Sequence, residues 1–250
     1  MRNIVLSKRM EAVVNMVPPQ SSMVADVGCD HAYVSIALIK RNLAVNVIAM
    51  DVRKGPLEIA EYNIADQGLA DKIELRLGDG FGRLLPDEAD VIIIAGMGGL
   101  LIKRILEEGK AVLESERKRP CLILQPQSDL SEVRIFLQES AYHIVQEKML
   151  VENGKYYTVI KALPGQEENA YNEVELLYGK VNLECRDEIL YSYLNKEKEA
   201  LDKIINQVNA AVGKNLVHDS TMARWQQVRV QRSMNELARQ YYKEEQDEMQ

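Results

Sequence analysis

Asp90–Ala95 (DVIIIA) is a short, nearly unbroken apolar run rich in β-branched residues. A strand of this kind has no polar face, so both of its sides must be covered. Comparable runs recur at Val24–Val27, Ala44–Met50 and Cys121–Leu124, and Ile73–Leu77 alternates as a further strand. Between them lie His31–Arg41, Leu57–Gly68, Leu100–Glu114 and Ser131–Ser140, where apolar residues return at three- and four-residue steps and predict helices. Ahead of them all, Ser7–Met16 reads as a short amphipathic helix capped by Ser7 and ended by Pro18-Pro19. Strands alternating with helices predict a parallel sheet with helices on both faces. His143–Val151 and Tyr156–Ala162 then flank Asn153-Gly154, the strongest short-range signal for a hairpin, so an antiparallel edge strand is expected at the end of the sheet.

From about Glu167 the strand signals stop. Val174, Leu177, Val181, Ile189, Leu190, Leu194, Leu201, Ile204, Ile205 and Val208 recur at helical spacing among many charges. They predict one or two long amphipathic helices. Gly213 marks a break, and His218–Tyr242 gives a second helix carrying Met222, Trp225, Val228, Met234, Leu237 and Tyr241. Two such helices bury their seams against each other, so a helical hairpin of coiled-coil-like character is expected. The expected domains are residues 1–165 for the sheet and 166–250 for the helices, which 250 residues can accommodate.

Three cysteines, Cys29, Cys121 and Cys185, are scattered without a C-x-x-C pair, which opposes a zinc site or a disulfide framework and fits a reducing cytosol. No metal is expected. No apolar run approaches twenty residues and no secretory leader is visible, so a soluble, cytoplasmic protein without a membrane partner is expected. The net charge of −7 argues against a general charge-driven coat on nucleic acid. Local basic faces remain open: Lys8, Arg9, Lys40, Arg41, Arg53 and Lys54 lie early, and Lys214, Arg224, Arg229, Arg232 and Arg239 lie late. The acid gathers elsewhere, as in the tail Glu244-Glu245-Gln246-Asp247-Glu248. The plain meaning of such runs is a solvated face.

The chemistry centres on Val24-Ala25-Asp26-Val27-Gly28-Cys29-Asp30-His31-Ala32-Tyr33, a strand end, a glycine turn and a helix start. A helix N-terminus offers N–H groups to an anionic or zwitterionic ligand. The dinucleotide fingerprint G-x-G-x-x-G needs bare backbone at its second glycine, and Asp30 stands there. A carboxylate would repel pyrophosphate but accept from an ammonium, which favours S-adenosylmethionine over NAD. Asp51 ends the second strand, where a carboxylate can take both ribose hydroxyls. Asp79 ends the third, where it can meet the adenine edge. Gly96-Met97-Gly98-Gly99 ends the fourth and permits close approach of a flat base, although a tight turn before a helix reads equally well. The Asp/Asn-Pro-Pro-aromatic motif of many enzymes acting on exocyclic amines is absent there. His31 is open between a base or substrate contact and a capping or packing residue, and Tyr33 between core and a stacking platform. Seven strands with the last reversed form an α/β, Rossmann-like sheet of the class I methyltransferase kind.

Leu6-Ser7-Lys8-Arg9, Asp26 to Tyr33, Ala95-Gly96-Met97-Gly98-Gly99, Leu124-Gln125-Pro126-Gln127 and Glu152-Asn153-Gly154-Lys155-Tyr156-Tyr157 together resemble the bacterial tRNA (adenine-22, N1)-methyltransferase family across essentially the whole chain. The resemblance implies S-adenosylmethionine as cofactor, tRNA as partner and methylation of N1 of one adenine. The resulting cofactor set is Asp26, Gly28, Cys29, Asp30, His31, Asp51, Val52, Gly78, Asp79, Gly80, Ala95, Gly96 and Met97. The RNA set is Lys8, Arg9, Gly98, Gly99, Gln125 and Gln127, with Lys8 and Arg9 holding phosphate. The catalytic set is Asp30, His31 and Tyr33, and a monomer is expected.

N1 of adenine has its own lone pair and needs no prior deprotonation, so positioning and desolvation should dominate. Asp30 either stabilises the developing positive charge or orients the cofactor's ammonium. Backbone carbonyls near Gly96–Gly98 could accept from the N6 amine. The alternatives are a small-molecule methyltransferase on the same sheet, a non-catalytic cofactor-binding adaptor, and a NAD-binding oxidoreductase, which the missing glycines and the terminal hairpin oppose.

Overall fold

A computed structural model describes residues 4–212 and 219–243. The expected break at Gly213, the residues Lys214 and His218, and the acidic tail from Glu244 lie outside the described residues, as does the side chain of Met222. The chain divides into two compact units, Met1–Asn169 and Ala170–Gln250.

Unit one alternates as expected: α1 (Lys8–Asn15), β1 (Ser21–Val27), α2 (Tyr33–Lys40), β2 (Ala44–Asp51), α3 (Lys54–Asp66), β3 (Ile73–Leu77), β4 (Val91–Met97), α4 (Gly99–Glu108), α5 (Lys110–Leu113), β5 (Cys121–Pro126), α6 (Leu130–Glu139), β6 (Tyr142–Glu152) and β7 (Lys155–Pro164). The strand order is β3-β2-β1-β4-β5-β7-β6. β1 to β5 pair in parallel, while β7 runs antiparallel to both β5 and β6. The reversed strand is therefore not the edge strand expected from the hairpin. β7 lies inside the sheet and β6 takes the edge. The reason is burial: Thr158, Val159, Ile160 and Ala162 on β7 are buried, whereas β6 carries the exposed Val145 and Gln146. The core centres on β1, β4 and β5, where Val24, Ile92, Ile93, Ile94 and Ile123 are fully enclosed.

Two helices depart from the expected bounds. The segment Leu100–Glu114 is not one helix but α4 and α5, divided at Gly109. A Cβ at Gly109 would stand 1.9 Å from the Phe81 ring, so the break is where that ring packs on bare backbone. α2 begins at Tyr33, two residues later than expected, because Asp30 and Ala32 both adopt left-handed conformations, φ 52° and 59°.

In unit two, two short helices missed in the sequence, α7 (Glu173–Tyr178) and α8 (Lys180–Glu184), precede α9 (Glu188–Val212) and α10 (Asp219–Gln240). Asn172 starts α7 with a reciprocal cap to Glu175, and Gly179 at φ 94° separates α7 from α8. α9 and α10 are antiparallel. Arg186 Nε donates to Tyr241 O at 2.8 Å, Asn235 Nδ2 to Leu194 O at 2.9 Å and Arg232 Nε to Asp202 Oδ1 at 2.7 Å. Leu190, Leu194, Leu201, Val228 and Ala238 form the buried seam, whereas Leu177 and Leu237 are exposed.

Candidate active site

A cavity of about 430 Å³ opens where β1, β2 and β4 end, the carboxyl side on which doubly wound sheets hold ligands. Its first wall is the turn after β1. Gly28, at φ 76°, lets the chain reverse, and the N–H groups of Gly28 and Cys29 both donate to Met50 O at 2.8 Å. A Cβ on Gly28 would lie 2.1 Å from Met97 Cε, so the glycine also admits the end of β4. Left-handed backbone costs a non-glycine residue about 1–2 kcal/mol. Asp30 is held there by its N–H, which donates to Asp51 Oδ2 at 3.2 Å, and Ala32 by its N–H, which donates to Cys29 O at 2.9 Å. His31 thus sits in the turn rather than in the helix, its carbonyl accepting from Asn63 Nδ2 at 3.1 Å.

Three carboxylates face the cavity. Asp26 is buried, and Ser35 Oγ donates to its Oδ2 at 2.6 Å. Burial pushes its pKa up to about 6, against the opposing pull of the Ser35 hydrogen bond and with help from nearby Asp51. Asp51, also buried, accepts from Arg53 N at 2.8 Å. The Asp30 carboxylate is exposed at the rim, 3.6 Å from His31 Nδ1 and 3.8 Å from Arg53 Nη2. The buried Cys29 thiol is pushed far above its ordinary value by burial and by these same acids, so it stays a thiol.

β4 runs on past Ala95 through Gly96 and Met97, which the sequence places after the strand, with a bulge against β5 between Ala95 and Met97. Gly96, at φ 79°, donates its N–H to Gln125 Oε1 at 3.2 Å. The same oxygen accepts from Arg9 Nη1 at 2.8 Å, and Gln125 Nε2 donates to Pro126 O. Arg9 reaches this point from α1, its guanidinium 5.4 Å from the centre of the Tyr157 ring. α1 is fixed by Ser7 Oγ accepting from Met10 N, by Lys8 N donating to Glu152 Oε1 at 2.7 Å, and by the Glu11–Arg41 fork at 2.6 and 2.7 Å.

Of the expected cofactor residues, Asp26, Gly28, Cys29, Asp30, His31, Asp51, Val52, Gly78, Ala95, Gly96 and Met97 line the cavity. Asp79 is an exposed turn residue beyond Gly78, and Gly80 is buried under Ile105. Tyr33 is 42 % exposed on the cavity wall rather than core, its ring edge-on to His31 at 5.8 Å. The expected RNA residues scatter. Lys8 and Gln127 are exposed, and Gly98 leads into α4. Two of them are corrected. Gln125 is fully buried and acts as an internal bracket, so it presents nothing to RNA. Gly99 is buried, and a Cβ there would stand 2.3 Å from Ser128 O, so it seats the start of α4 on the backbone of Ser128 and Asp129. The sequence missed Met10, Val34 and Arg53 as cavity residues. Arg53 carries a signal in hindsight, since it follows the strand-end acid Asp51 by two. Among the described residues, no group of three or more His, Cys, Asp and Glu could hold a metal ion, and no helix is long and apolar enough to cross a membrane.

A sheet of this order with one reversed strand, and an acid-lined cavity at the ends of its first, second and fourth strands, defines a class I S-adenosylmethionine-dependent methyltransferase. Residues 24–234 match the family model of tRNA (adenine(22)-N(1))-methyltransferase. The Bacillus subtilis (strain 168) enzyme of that name is 35 % identical over 201 residues, 80 % of this chain and 79 % of its own. Among solved structures, Streptococcus pneumoniae Sp1610 in complex with S-adenosyl-L-methionine is 31 % identical with a TM-score of 0.79, covering 94 % of this chain and 99 % of its own. M. capricolum TrmK in complex with S-adenosyl-homocysteine is 25 % identical with a TM-score of 0.71, covering 92 % and 98 %. The chain belongs to the tRNA (adenine(22)-N(1))-methyltransferase family.

Proposed function

We propose that this chain transfers a methyl group from S-adenosylmethionine to N1 of adenine 22 in tRNA. The observation that carries this reading is one cavity bordered by Asp26, Asp30 and Asp51 and opening beside Gly96. The residues fit the donor by their chemistry. A nucleoside carrying an ammonium and a sulfonium, and no phosphate, suits a wall of carboxylates better than a dinucleotide does. Asp51 would hold the ribose hydroxyls, and Asp26 or Asp30 the ammonium. Bound there, S-adenosylmethionine supplies a methyl group on positively charged sulfur.

The protein's own work is then positioning. The adenine leaves its stack and is held by its Watson–Crick edge. The main chain at Gly96–Gly98 accepts from its N6 amine, while the missing side chains at Gly96 and Gly98 let a flat ring approach. Asp30, at the cavity rim, stabilises the positive charge that develops on the base. His31 and Tyr33 flank the opening and steer the ring, and Lys8, exposed at the start of α1, holds phosphate. In this reading the sheet domain carries the chemistry and the helical domain contacts RNA. The enzyme works in the cytoplasm, as a monomer and without a metal.

The test is to incubate the protein with S-adenosylmethionine and unmodified tRNA, then map the product by primer extension. A methyl on N1 blocks pairing, so reverse transcription should stop at adenine 22. Methylation elsewhere, or of small molecules only, would reject the reading.

A further inference from the structure

We propose that Arg9 is the group that holds the carboxylate of the bound methyl donor. This rests on the donor reading above and deepens it. The cavity wall carries three carboxylates and two guanidiniums, those of Arg9 and Arg53. Arg53 is 69 % exposed and stands within 3.8 Å of both Asp30 and Asp51, so carboxylates of the protein itself already answer its charge. Arg9 is different. Among the described residues its side chain meets the neutral amide of Gln125 and the face of Tyr157, and no carboxylate. Its Nε is shielded from solvent without a partner. An unanswered donor inside a cavity is costly unless a ligand supplies the acceptor.

S-adenosylmethionine has two positive groups and one negative one. Asp26, Asp30 and Asp51 match the positive groups, and the carboxylate is left in need of a cation. Position agrees. If Asp51 at the end of β2 takes the ribose, the amino-acid tail runs toward β4. That is two strand spacings away, about 10 Å, comparable to the reach from ribose to tail. Arg9 stands at that end, beside Gly96. A Cβ on Gly96 would lie 3.1 Å from Arg9 Nη1, so the glycine makes room for the guanidinium as well as for a base. Buried Gln125 receives the N–H of Gly96 and the Nη1 of Arg9 on one oxygen, which fixes the guanidinium relative to the end of β4.

The experiment is calorimetric titration, without tRNA, of S-adenosylmethionine and its decarboxylated analogue into the wild-type protein, Arg9→Met and Arg9→Lys. A charge-assisted pair predicts that wild type prefers the carboxylated donor by about 10- to 100-fold. Arg9→Met should weaken that donor by the same factor, leave the analogue's affinity unchanged and bring the ratio near one. Arg9→Lys should fall between. Equal binding of both compounds by wild type overturns the proposal, and that comparison needs no variant. A ratio that survives in Arg9→Met also overturns it, and accompanying loss of tRNA affinity would assign Arg9 to an RNA phosphate instead. If wild type binds neither compound, the donor reading itself fails and this proposal with it.

Discussion

Asp30 donates its main-chain N–H to Asp51 Oδ2 at 3.2 Å, which ties the turn after β1 to the end of β2. One acid is thereby held in left-handed backbone by another, with its own carboxylate exposed at the cavity rim beside His31 and Arg53. Asn tolerates this conformation as Asp does, so Asp30→Asn isolates the charge. It should lower kcat/KM for tRNA methylation about 100-fold while urea unfolding stays within about 0.5 kcal/mol of wild type. Wild-type turnover in this variant would remove the carboxylate from the mechanism.

Asp26 gives a pH prediction. Its ordinary pKa of 3.8 rises to about 6 in the fold because it is desolvated. Between those values the folded protein keeps a proton that the unfolded chain has released. Stability therefore falls as pH rises through that window and stays reduced above it. The shift corresponds to at most about 3 kcal/mol. Asp26→Asn retains an oxygen for Ser35 Oγ and removes this cost. In urea titrations of the ligand-free protein the variant should exceed wild type at pH 8 and converge with it near pH 4. It should also bind the methyl donor more weakly.

Arg134 on α6 and Glu147 on β6 form an enclosed ion pair, with Nε and Nη2 donating to Oε1 at 2.9 and 2.8 Å. Removing Arg134 takes away the cation that answers the enclosed Glu147 carboxylate. Arg134→Met should cost about 3–5 kcal/mol, and Arg134→Met with Glu147→Met should recover most of it. Denaturant midpoints of the two single variants and the double variant measure this. Additive losses would refute it.

Two glycines should respond with opposite sign. At Gly99 a Cβ would collide with backbone oxygen, so Gly99→Ala should destabilise by about 1–3 kcal/mol. At Gly55, in the first turn of α3, nothing lies within 4 Å, so Gly55→Ala should stabilise by about 0.4–1 kcal/mol. Thermal unfolding of both variants checks the pair.

Much of this was legible because the signals are local. Ile73–Leu77 matches β3 to the residue, and Asp26, Gly28, Asp30, Asp51 and Gly96, at the ends of β1, β2 and β4, line one cavity, whereas Gly98 and Gly99 do not. What failed was long-range or conformational. Left-handed Ala32 looks like an ordinary helix residue in sequence, so the apolar spacing starts the helix at His31, two residues ahead of α2. The Gly109 break answers Phe81, twenty-eight residues away. Gln125 reads as a polar residue at a strand end. Only the fold shows it enclosed, with its partner Arg9 at the far end of the chain. A hairpin signal permits either order of its two strands, so Asn153-Gly154 does not say that β7 lies inside and β6 at the edge.

The three thiols have a practical consequence. Cys29 and Cys121 are enclosed and held in their protonated form by burial, while Cys185 on unit two is exposed. A maleimide dye should therefore mark unit two at one position and spare the donor cavity. The native chain, without engineered substitutions, would then report by fluorescence whether the helical unit senses RNA.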